Sequence, residues 1–191
     1  PYTMEYLIRN NGSIIVTGSI DLTGTRLPEL PRFGMRMELQ QSYENLTYYG
    51  RGPLENYIDR YSSSFIGRYE DKVENQFYWY IRPQETGNKT DVRWLALLNS
   101  EGEGVKITGL QPIAFSALHF SPEDLDPGLT RKLQHTIDIV PQKNIFLHVD
   151  LKQRGLGGDN SWGMYPYNKY RLLDKKYVYS YMIELAEKGS D

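Results

Sequence analysis

Cysteine is absent from all 191 residues of the sequence. Disulfide bonds, thiol catalysis and cysteine-ligated metal sites are therefore excluded. Histidine is scarce as well, with only His119, His135 and His148, and their spacing is not typical of a metal site. We interpret the three histidines as structural. An acid–base pair that assembles in space is the open alternative.

The chain also lacks a strong charge of either sign. Its 22 basic and 24 acidic residues leave a formal net charge of −2, and they are scattered along the sequence. A nucleic-acid or anionic-membrane partner is not expected, because both require a basic patch. No run of about 18 apolar residues is present, so no membrane span is predicted.

The length fits one large domain, and we expect residues 1–191 to form a single one. The sequence opens on Pro1 without an initiator methionine and shows no signal peptide, so we expect a piece of a longer protein. Residues 1–30 have the pattern of strands but begin abruptly, so a truncated start of the domain stays open. The compartment, cytoplasmic or periplasmic, is left undecided.

Alternating apolar and aromatic residues dominate the chain, which has 16 tyrosines. About ten strands joined by short turns predict an all-β, antiparallel sandwich with little helix. Residues 121–125 read as a short helix with a serine N-cap, and residues 62–75 as a polar loop. The predicted strands are 2–9, 13–20, 33–41, 46–49, 77–81, 92–98, 105–110, 113–118, 133–140, 145–151 and 177–185.

The most informative stretch is residues 155–163, Gly-Leu-Gly-Gly-Asp-Asn-Ser-Trp-Gly, which we call the tryptophan loop. Its glycines permit a sharp turn, and its short polar side chains can hold one, so we expect a tight loop with Trp162 at its tip. A flat indole beside polar groups suits the apolar face and polar rim of a sugar. The alternative interpretation is a core tryptophan at the end of a hairpin.

Two further stretches are distinctive. Residues 50–60, which we call the acid turn, carry Glu55, Asp59 and Arg60, and these side chains can form a charge-assisted network. Residues 82–94 form a polar turn that contains Glu85 and leads into a strand. For the acid turn, a loop held by ion pairs is a simpler interpretation than direct catalysis. In residues 82–94, Gln84, Glu85 and Asn88 either face a polyol or are solvated turn residues, and both interpretations stay open.

These stretches, in this order, resemble the C-terminal, small-chain domain of bacterial β-galactosidases of glycoside hydrolase family two. The pattern G-x-G-P-x-E-N-Y-x-D-R corresponds to residues 50–60, and P-x-E-x-G corresponds to residues 83–87. A histidine, His135, and a late G-G-D-x-S-W at residues 157–162 follow. The resemblance runs from about residue 31 to residue 185.

The resemblance implies a β-supersandwich similar to galactose mutarotase. It implies that the catalytic glutamates lie on a (β/α)₈ barrel elsewhere in the polypeptide, so this chain has no catalytic residue. It assigns a sugar-binding role to Trp162, which would stack on the leaving-group sugar of a β-galactoside. Asp159 and Ser161 would brace the loop, and Gly157 and Gly158 would shape it. Secondary or structural roles fall to Glu55, Asp59, Arg60, Glu85 and His135.

The same resemblance places no cofactor in this region, although magnesium and sodium ions are candidates for the parent enzyme. The implied partners are a β-galactoside sugar, the barrel of the same polypeptide and further copies in a homo-oligomer. Two alternatives stay open: an autonomous galactose mutarotase that uses His119 or His135, and a purely structural or oligomerisation module whose tyrosine-rich strands form an interface.

Overall fold

A computed structural model describes residues 1–126, 128, 134–160 and 162–187. Within this part the chain forms nine antiparallel strands and one short helix, Pro122–Leu125 (α1), so the expected all-β class is confirmed. The strands are Tyr2–Ile8 (β1), Ile14–Asp21 (β2), Arg32–Leu39 (β3), Asn45–Gly52 (β4), Phe65–Lys72 (β5), Lys89–Leu98 (β6), Glu103–Leu118 (β7), Ile145–Gln153 (β8) and Lys176–Glu187 (β9).

The turn between β1 and β2 follows from its sequence, Asn10-Asn11-Gly12. Gly12 adopts a φ of 83°, a left-handed conformation that glycine reaches without steric cost. Asn11 Oδ1 accepts hydrogen bonds from the backbone N–H of Ser13 at 3.2 Å and from its hydroxyl at 2.8 Å. The expected hairpin is therefore confirmed.

Strand β7 is the point at which the sheet branches, because different parts of it pair with different strands. Residues 103–109 pair with β9, and residues 114–118 pair with β8. The change occurs around Pro112, where the pairing with β6 is also irregular. The two strands expected at 105–110 and 113–118 are thus one strand, since a proline is tolerated at a ladder irregularity.

Three branches of the sheet meet at β7. One runs through β9 and β2 to β1, one through β8 to β3, and one through β6 and β4 to the edge strand β5. The first two pack face to face and form the sandwich. Phe33 of β3 contacts Tyr179 of β9 edge to face, with ring centroids 5.5 Å apart. The Tyr179 hydroxyl donates to the carbonyl oxygen of Val149 at 3.0 Å. Tyr177, Tyr179 and Tyr181 are buried here, so this tyrosine face belongs to the domain's own core.

Three expected elements differ from the structure. Residues 65–72, expected as loop, form the edge strand β5, whose solvated position explains its polar composition. Residues 77–81 are irregular, because Phe77 and Trp79 pack with Phe120 in a small aromatic cluster. Of the expected strand 133–140, residue 133 lies outside the described part. The remainder holds a 3₁₀ turn, Thr136–Asp138, in which Thr136 hydrogen-bonds the carbonyl oxygens of residues 80 and 81.

The helix α1 begins as its sequence indicates. The Ser121 hydroxyl accepts from the Asp124 N–H at 3.2 Å, and the Asp124 carboxylate accepts from the Ser121 N–H at 2.7 Å. This reciprocal capping explains why the helix starts at Pro122. Across the described residues, no helix has the length and apolar character needed to cross a membrane.

Candidate functional site

The tryptophan loop follows β8 and presents its indole to solvent. Trp162 is 91% exposed, so the alternative of a core tryptophan is wrong. Its backbone N–H donates to Asn160 Oδ1 at 2.8 Å, and Gly163 adopts a φ of 98° just beyond it. The loop is thus turned by a short polar side chain and a left-handed glycine, as its composition predicts. Ser161 lies outside the described residues.

The acid turn holds the first half of this loop. Asp59 Oδ2 accepts a hydrogen bond from the Gly157 N–H at 2.7 Å. Gly155 passes so close to Asp59 that a Cβ there would lie 2.7 Å from the carboxyl carbon. The Gly155 N–H donates in turn to the carbonyl oxygen of Tyr170 at 2.8 Å. The stretch before Trp162 is therefore anchored on two sides.

Gly158 marks the closest approach within the loop. A Cβ at this position would lie 2.2 Å from the carbonyl oxygen of Met164. A Cβ on Gly157 would meet only the Asp59 carboxylate oxygen, at 3.3 Å. Asp159 is exposed and has no hydrogen-bond partner among the residues that the structure describes. The loop geometry consequently depends on Gly158 more strongly than on Gly157.

Glu55 connects the acid turn to the third distinctive stretch. Its Oε1 accepts hydrogen bonds from the Arg60 guanidinium at 2.6 Å and from the Tyr80 hydroxyl. Its Oε2 accepts hydrogen bonds from the Gly87 N–H at 2.7 Å and from the Thr86 hydroxyl at 3.0 Å. Burial alone would raise the pKa of Glu55, but these hydrogen bonds outweigh it and hold the pKa below its usual value. The expected pairing of Glu55 with Arg60 is present, whereas Asp59 turns to the tryptophan loop.

Glu85 belongs to a second charged cluster, which we call the Arg32 cluster. Arg32 lies 3.3 Å from Glu85 Oε1, 3.2 Å from Asp150 Oδ2 and 3.1 Å from His148 Nδ1. Arg32 also donates to the side-chain oxygen of Gln153 at 2.6 Å. Burial raises the pKa of Glu85, an effect that Arg32 opposes. The cluster links the polar turn to the strands β3 and β8.

Two members of the Arg32 cluster are ionisable groups with shifted pKa values, one fully buried and one partly buried. Asp150 is fully buried, and desolvation raises its pKa to about 7 although Arg32 acts in the opposite direction. Desolvation, aided by the positive charges of Arg32 and Arg36, lowers the pKa of His148 to about 4. Gly34 is required beside them, since a Cβ there would lie 1.8 Å from an Asp150 oxygen.

A shallow depression beside the tryptophan loop brings these groups to one surface. It has a volume of about 430 Å³ and is lined by Asp59, Arg60, Tyr80, Gln84, Glu85, Leu156 and Gly157. A smaller depression of about 190 Å³ adjoins it and is lined by Asp59, Gly157, Gly158, Asp159, Tyr165, Tyr167 and Tyr170. Carboxylate, guanidinium and phenol groups can hydrogen-bond the hydroxyls of a polar ligand here.

His135 is not brought into this surface. It is exposed and lines neither depression, and its backbone N–H donates to the Asp138 carboxylate at 2.8 Å. The residues that sequence reasoning missed are Arg32 and Asp150, together with the contact of the partly buried His148 with Arg32. The only signal was the i, i+2 placement of His148 and Asp150 on one face of a strand.

Metal ligation is not indicated in the part of the chain that the structure describes. Within it, no group of three or more His, Asp or Glu side chains lies in an arrangement suited to a metal ion. The side chains that line the two depressions supply hydrogen-bonding groups, charged groups and aromatic rings.

The family model described as beta galactosidase small chain matches residues 1–183, nearly the whole chain. The chain belongs to the beta-galactosidase small-chain family. The acid turn, the polar turn and the tryptophan loop all fall within the matched range.

Curated relatives of this small-chain domain agree with the family match. The chain is 36% identical over 169 residues to a beta-galactosidase of Priestia megaterium, an alignment covering 88% of this chain and 16% of the relative. It is 33% identical over 183 residues to a beta-galactosidase of Streptococcus thermophilus, covering 95% and 17%, respectively. Beta-galactosidase BgaC of Bifidobacterium adolescentis is 32% identical over 176 residues, covering 89% and 16%. The chain thus spans about one sixth of these relatives.

Proposed function

We propose that this small-chain domain is a non-catalytic part of a β-galactosidase that hydrolyses terminal β-galactosides with retention. In this proposal Trp162 is the platform on which the leaving-group sugar stacks. The relatives are beta-galactosidases by name, which supports the reaction class. The domain's contribution is binding and orientation, and proton transfer belongs to other parts of the polypeptide.

One observation carries the proposal: Trp162 is 91% exposed on a loop whose start is fixed by Asp59. Exposing an indole to water has a free-energy cost unless a ligand or partner covers it. The C–H face of a pyranose is a flat apolar surface of matching size. The two depressions lined by residues 156–159 of the same loop offer polar groups for sugar hydroxyls. A preformed aromatic platform also reduces the ordering that ligand binding requires.

We assign the catalytic carboxylates to the other five sixths of a full-length β-galactosidase. Retaining glycosidases use two carboxyl groups about 5 Å apart. A (β/α)₈ barrel takes about 250 residues and alternates parallel strands with helices, whereas the described strands here are antiparallel. The barrel is therefore proposed as an intramolecular partner, with further copies of the parent as oligomeric partners and with the isolated chain inactive.

The direct test is Trp162→Ala in the full-length protein, assayed with lactose and with an activated aryl galactoside. Loss of a stacking platform weakens binding by about 1–3 kcal/mol, or about five- to 150-fold. We expect the rate of lactose hydrolysis to fall by such a factor. The rate of aryl galactoside hydrolysis should fall less, because an activated leaving group depends less on the stacking contact. Tyr6→Ala, which removes an exposed aromatic ring from β1, is the matched control and should leave both rates unchanged.

The same assay separates this role from a purely structural one. A structural or assembly module predicts that Trp162→Ala leaves both substrates at wild-type rates. Equal losses on both substrates would contradict a role in binding the leaving group.

The second candidate function is that of an autonomous galactose mutarotase, an aldose 1-epimerase, and one observation favours it. His119 Nε2 lies 2.9 Å from Glu44 Oε2 in a cavity, an imidazole–carboxylate pair of the kind that anomer interconversion needs. His119 Nδ1, however, lies 3.2 Å from the carbonyl oxygen of Asn144, so both ring nitrogens already have partners. Polarimetry with freshly dissolved α-galactose tests the candidate. Acceleration that His119→Asn abolishes would support it, and a spontaneous rate would exclude it.

A further inference from the structure

A second cavity lies apart from the tryptophan loop and shares no lining residue with the two depressions beside it. It opens to solvent and has a volume of about 460 Å³, within the range of small-molecule sites. Residues of four chain segments form its walls: Gln41, Glu44, Lys72, Val73, Glu74, Phe77, Trp79, His119, Phe120, Pro141, Gln142 and Lys143.

One wall is a supported aromatic platform. Phe77 and Phe120 are buried and lie 4.3 Å apart between ring centroids. Trp79 packs edge to face on both, at 4.8 Å from Phe77 and 5.9 Å from Phe120, yet it stays 58% exposed. The indole is thus fixed from behind while much of its surface faces water, an arrangement suited to stacking on a flat ligand.

The polar part of the lining is already ordered. Glu44 Oε1 accepts from the Glu74 N–H at 2.7 Å, and Glu44 Oε2 lies 2.9 Å from His119 Nε2. The Glu44 and His119 side chains are only 25% and 12% exposed. A carboxylate that is fixed by two contacts keeps free lone pairs for a ligand hydroxyl, without a large entropy loss on binding.

The charges around this cavity balance. Glu44 and Glu74 oppose Lys72 and Lys143, so the lining favours neither an anion nor a cation. Side-chain amides of Gln41 and Gln142 complete the rim. A neutral ligand with one apolar face and several hydroxyls fits this combination best, and a hexopyranose has this chemistry.

We propose that this cavity is a second saccharide-binding site, which stacks a neutral hexopyranose on Trp79 and hydrogen-bonds its hydroxyls to Glu44 and the rim amides. The site binds without performing chemistry, because both ring nitrogens of His119 have partners. It would hold the parent protein near galactoside-bearing material independently of the tryptophan loop.

The test titrates the full-length protein with thiodigalactoside, whose sulfur-linked sugars resist glycosidases, and counts sites per chain by calorimetry. We expect two sites in the wild-type protein, the second in the millimolar range. Trp79→Ala should weaken that second site about ten- to hundredfold, and Trp79→Tyr, which keeps a ring, should retain it. Trp162→Ala should weaken the other site and leave this one, so failure of the proposed function and failure of the second site are distinguishable.

A measurement on the unsubstituted protein covers the case in which Trp79→Ala does not fold. A galactoside carrying a photoreactive diazirine should label peptides containing Trp79 or His119, and excess thiodigalactoside should protect them. The proposal is overturned by a single site per chain that Trp162→Ala removes, by a second site that Trp79→Ala leaves unchanged, or by labelling confined to other segments. A single site that only Trp79→Ala removes would support it and would count against the proposed function.

Discussion

Asp59 accepts a hydrogen bond from the Gly157 N–H at 2.7 Å and so joins two segments 98 residues apart. The acid turn therefore acts on the tryptophan loop through one carboxylate. The rest of the acid turn is itself fixed, since Glu55 pairs with Arg60 at 2.6 Å and receives the Gly87 N–H at 2.7 Å. The indole platform consequently depends on residues far from it in sequence.

Removal of this contact tests whether Asp59 positions the loop. A hydrogen bond to a charged acceptor contributes about 1.5–3 kcal/mol, so Asp59→Ala should release residues 155–160 while the sandwich core stays intact. We expect lactose kcat/KM in the full-length protein to fall about tenfold, with a smaller loss on an aryl galactoside. Asp59→Asn keeps an acceptor oxygen and should retain most of the activity.

Glu101→Ala is the control for Asp59→Ala, because Glu101 is an exposed acid in a turn outside the site. It should match the wild-type protein on both substrates. Wild-type lactose kinetics for Asp59→Ala would show that the loop holds its shape without the acid turn.

The two central glycines of the tryptophan loop should respond differently to alanine. At Gly158 the new Cβ would lie 2.2 Å from the backbone oxygen of Met164, which can move only if the chain itself shifts, so Gly158→Ala must distort the loop. At Gly157 the Cβ would meet only a carboxylate oxygen at 3.3 Å, which a small side-chain shift relieves. We expect Gly158→Ala to impair lactose turnover at least tenfold more than Gly157→Ala, and comparable losses in the two variants would contradict this assignment.

Glu55 should stabilise the fold as well as the site. Its side chain is only 12% exposed, whereas its ion-pair partner Arg60 is 55% exposed, so the pair itself is not buried. Removing the carboxylate leaves the Gly87 N–H and the Thr86 hydroxyl without this acceptor, and a hydrogen bond to a charged group contributes about 1.5–3 kcal/mol. Urea unfolding of the 191-residue chain should show a loss of this order for Glu55→Ala at neutral pH. Because the folded-state pKa is depressed, the stabilisation is present above the unfolded-state value of 4.5 and is lost as the pH falls below it.

Glu70→Ala provides the comparison for Glu55→Ala. Glu70 lies on the edge strand β5, and its side chain is 70% exposed beside Arg68. An exposed ion pair contributes about 0–1 kcal/mol, so this variant should unfold close to the wild-type urea midpoint. Equal destabilisation by the two variants would show that burial of Glu55 does not govern its effect.

Local chemistry explains which elements could be predicted from the sequence. The hairpin at Asn11-Gly12 and the helix start at Ser121 depend on neighbouring residues, so their signals are complete in a short window. These two features need no knowledge of distant partners. The exposure of Trp162 did not follow from its turn residues alone, which favour a core tryptophan at the end of a hairpin, and the family resemblance was needed to predict it.

The features that could not be predicted depend on partners far apart in the chain. Strand β5 lies at a sheet edge and lacks the apolar alternation that identifies a half-buried strand. The Arg32 cluster needs β3 and β8 to pair across more than 110 residues before Arg32 reaches His148 and Asp150. The contact of Asp59 with Gly157 likewise joins residues that are far apart in the chain. The sequence pattern predicts only that Asp59 lies in the acid turn.

The Arg32 cluster predicts two opposing pH effects on stability. Asp150 titrates at about 7 when folded against about 3.8 when unfolded, so its contribution is greatest below pH 4 and is lost as the pH rises to 7. His148 titrates at about 4 when folded against about 6.5 when unfolded, so its contribution is present above pH 6.5 and is lost as the pH falls to 4. Each full shift corresponds to about 3–4 kcal/mol.

Single substitutions should separate these two effects, which nearly cancel in the wild-type chain between pH 4 and 6.5. In urea unfolding, Asp150→Asn removes the falling contribution, so stability should rise with pH across this window. His148→Gln removes the rising contribution, so stability should fall with pH instead. The two slopes come from two different groups, so removing one group should leave the slope of the other. Parallel pH profiles in the two variants would therefore mean that neither Asp150 nor His148 titrates with a shifted pKa in the folded state. Asp21→Asn, at an exposed carboxylate, is the control that should keep the wild-type profile across this window, since its folded-state pKa lies well below it.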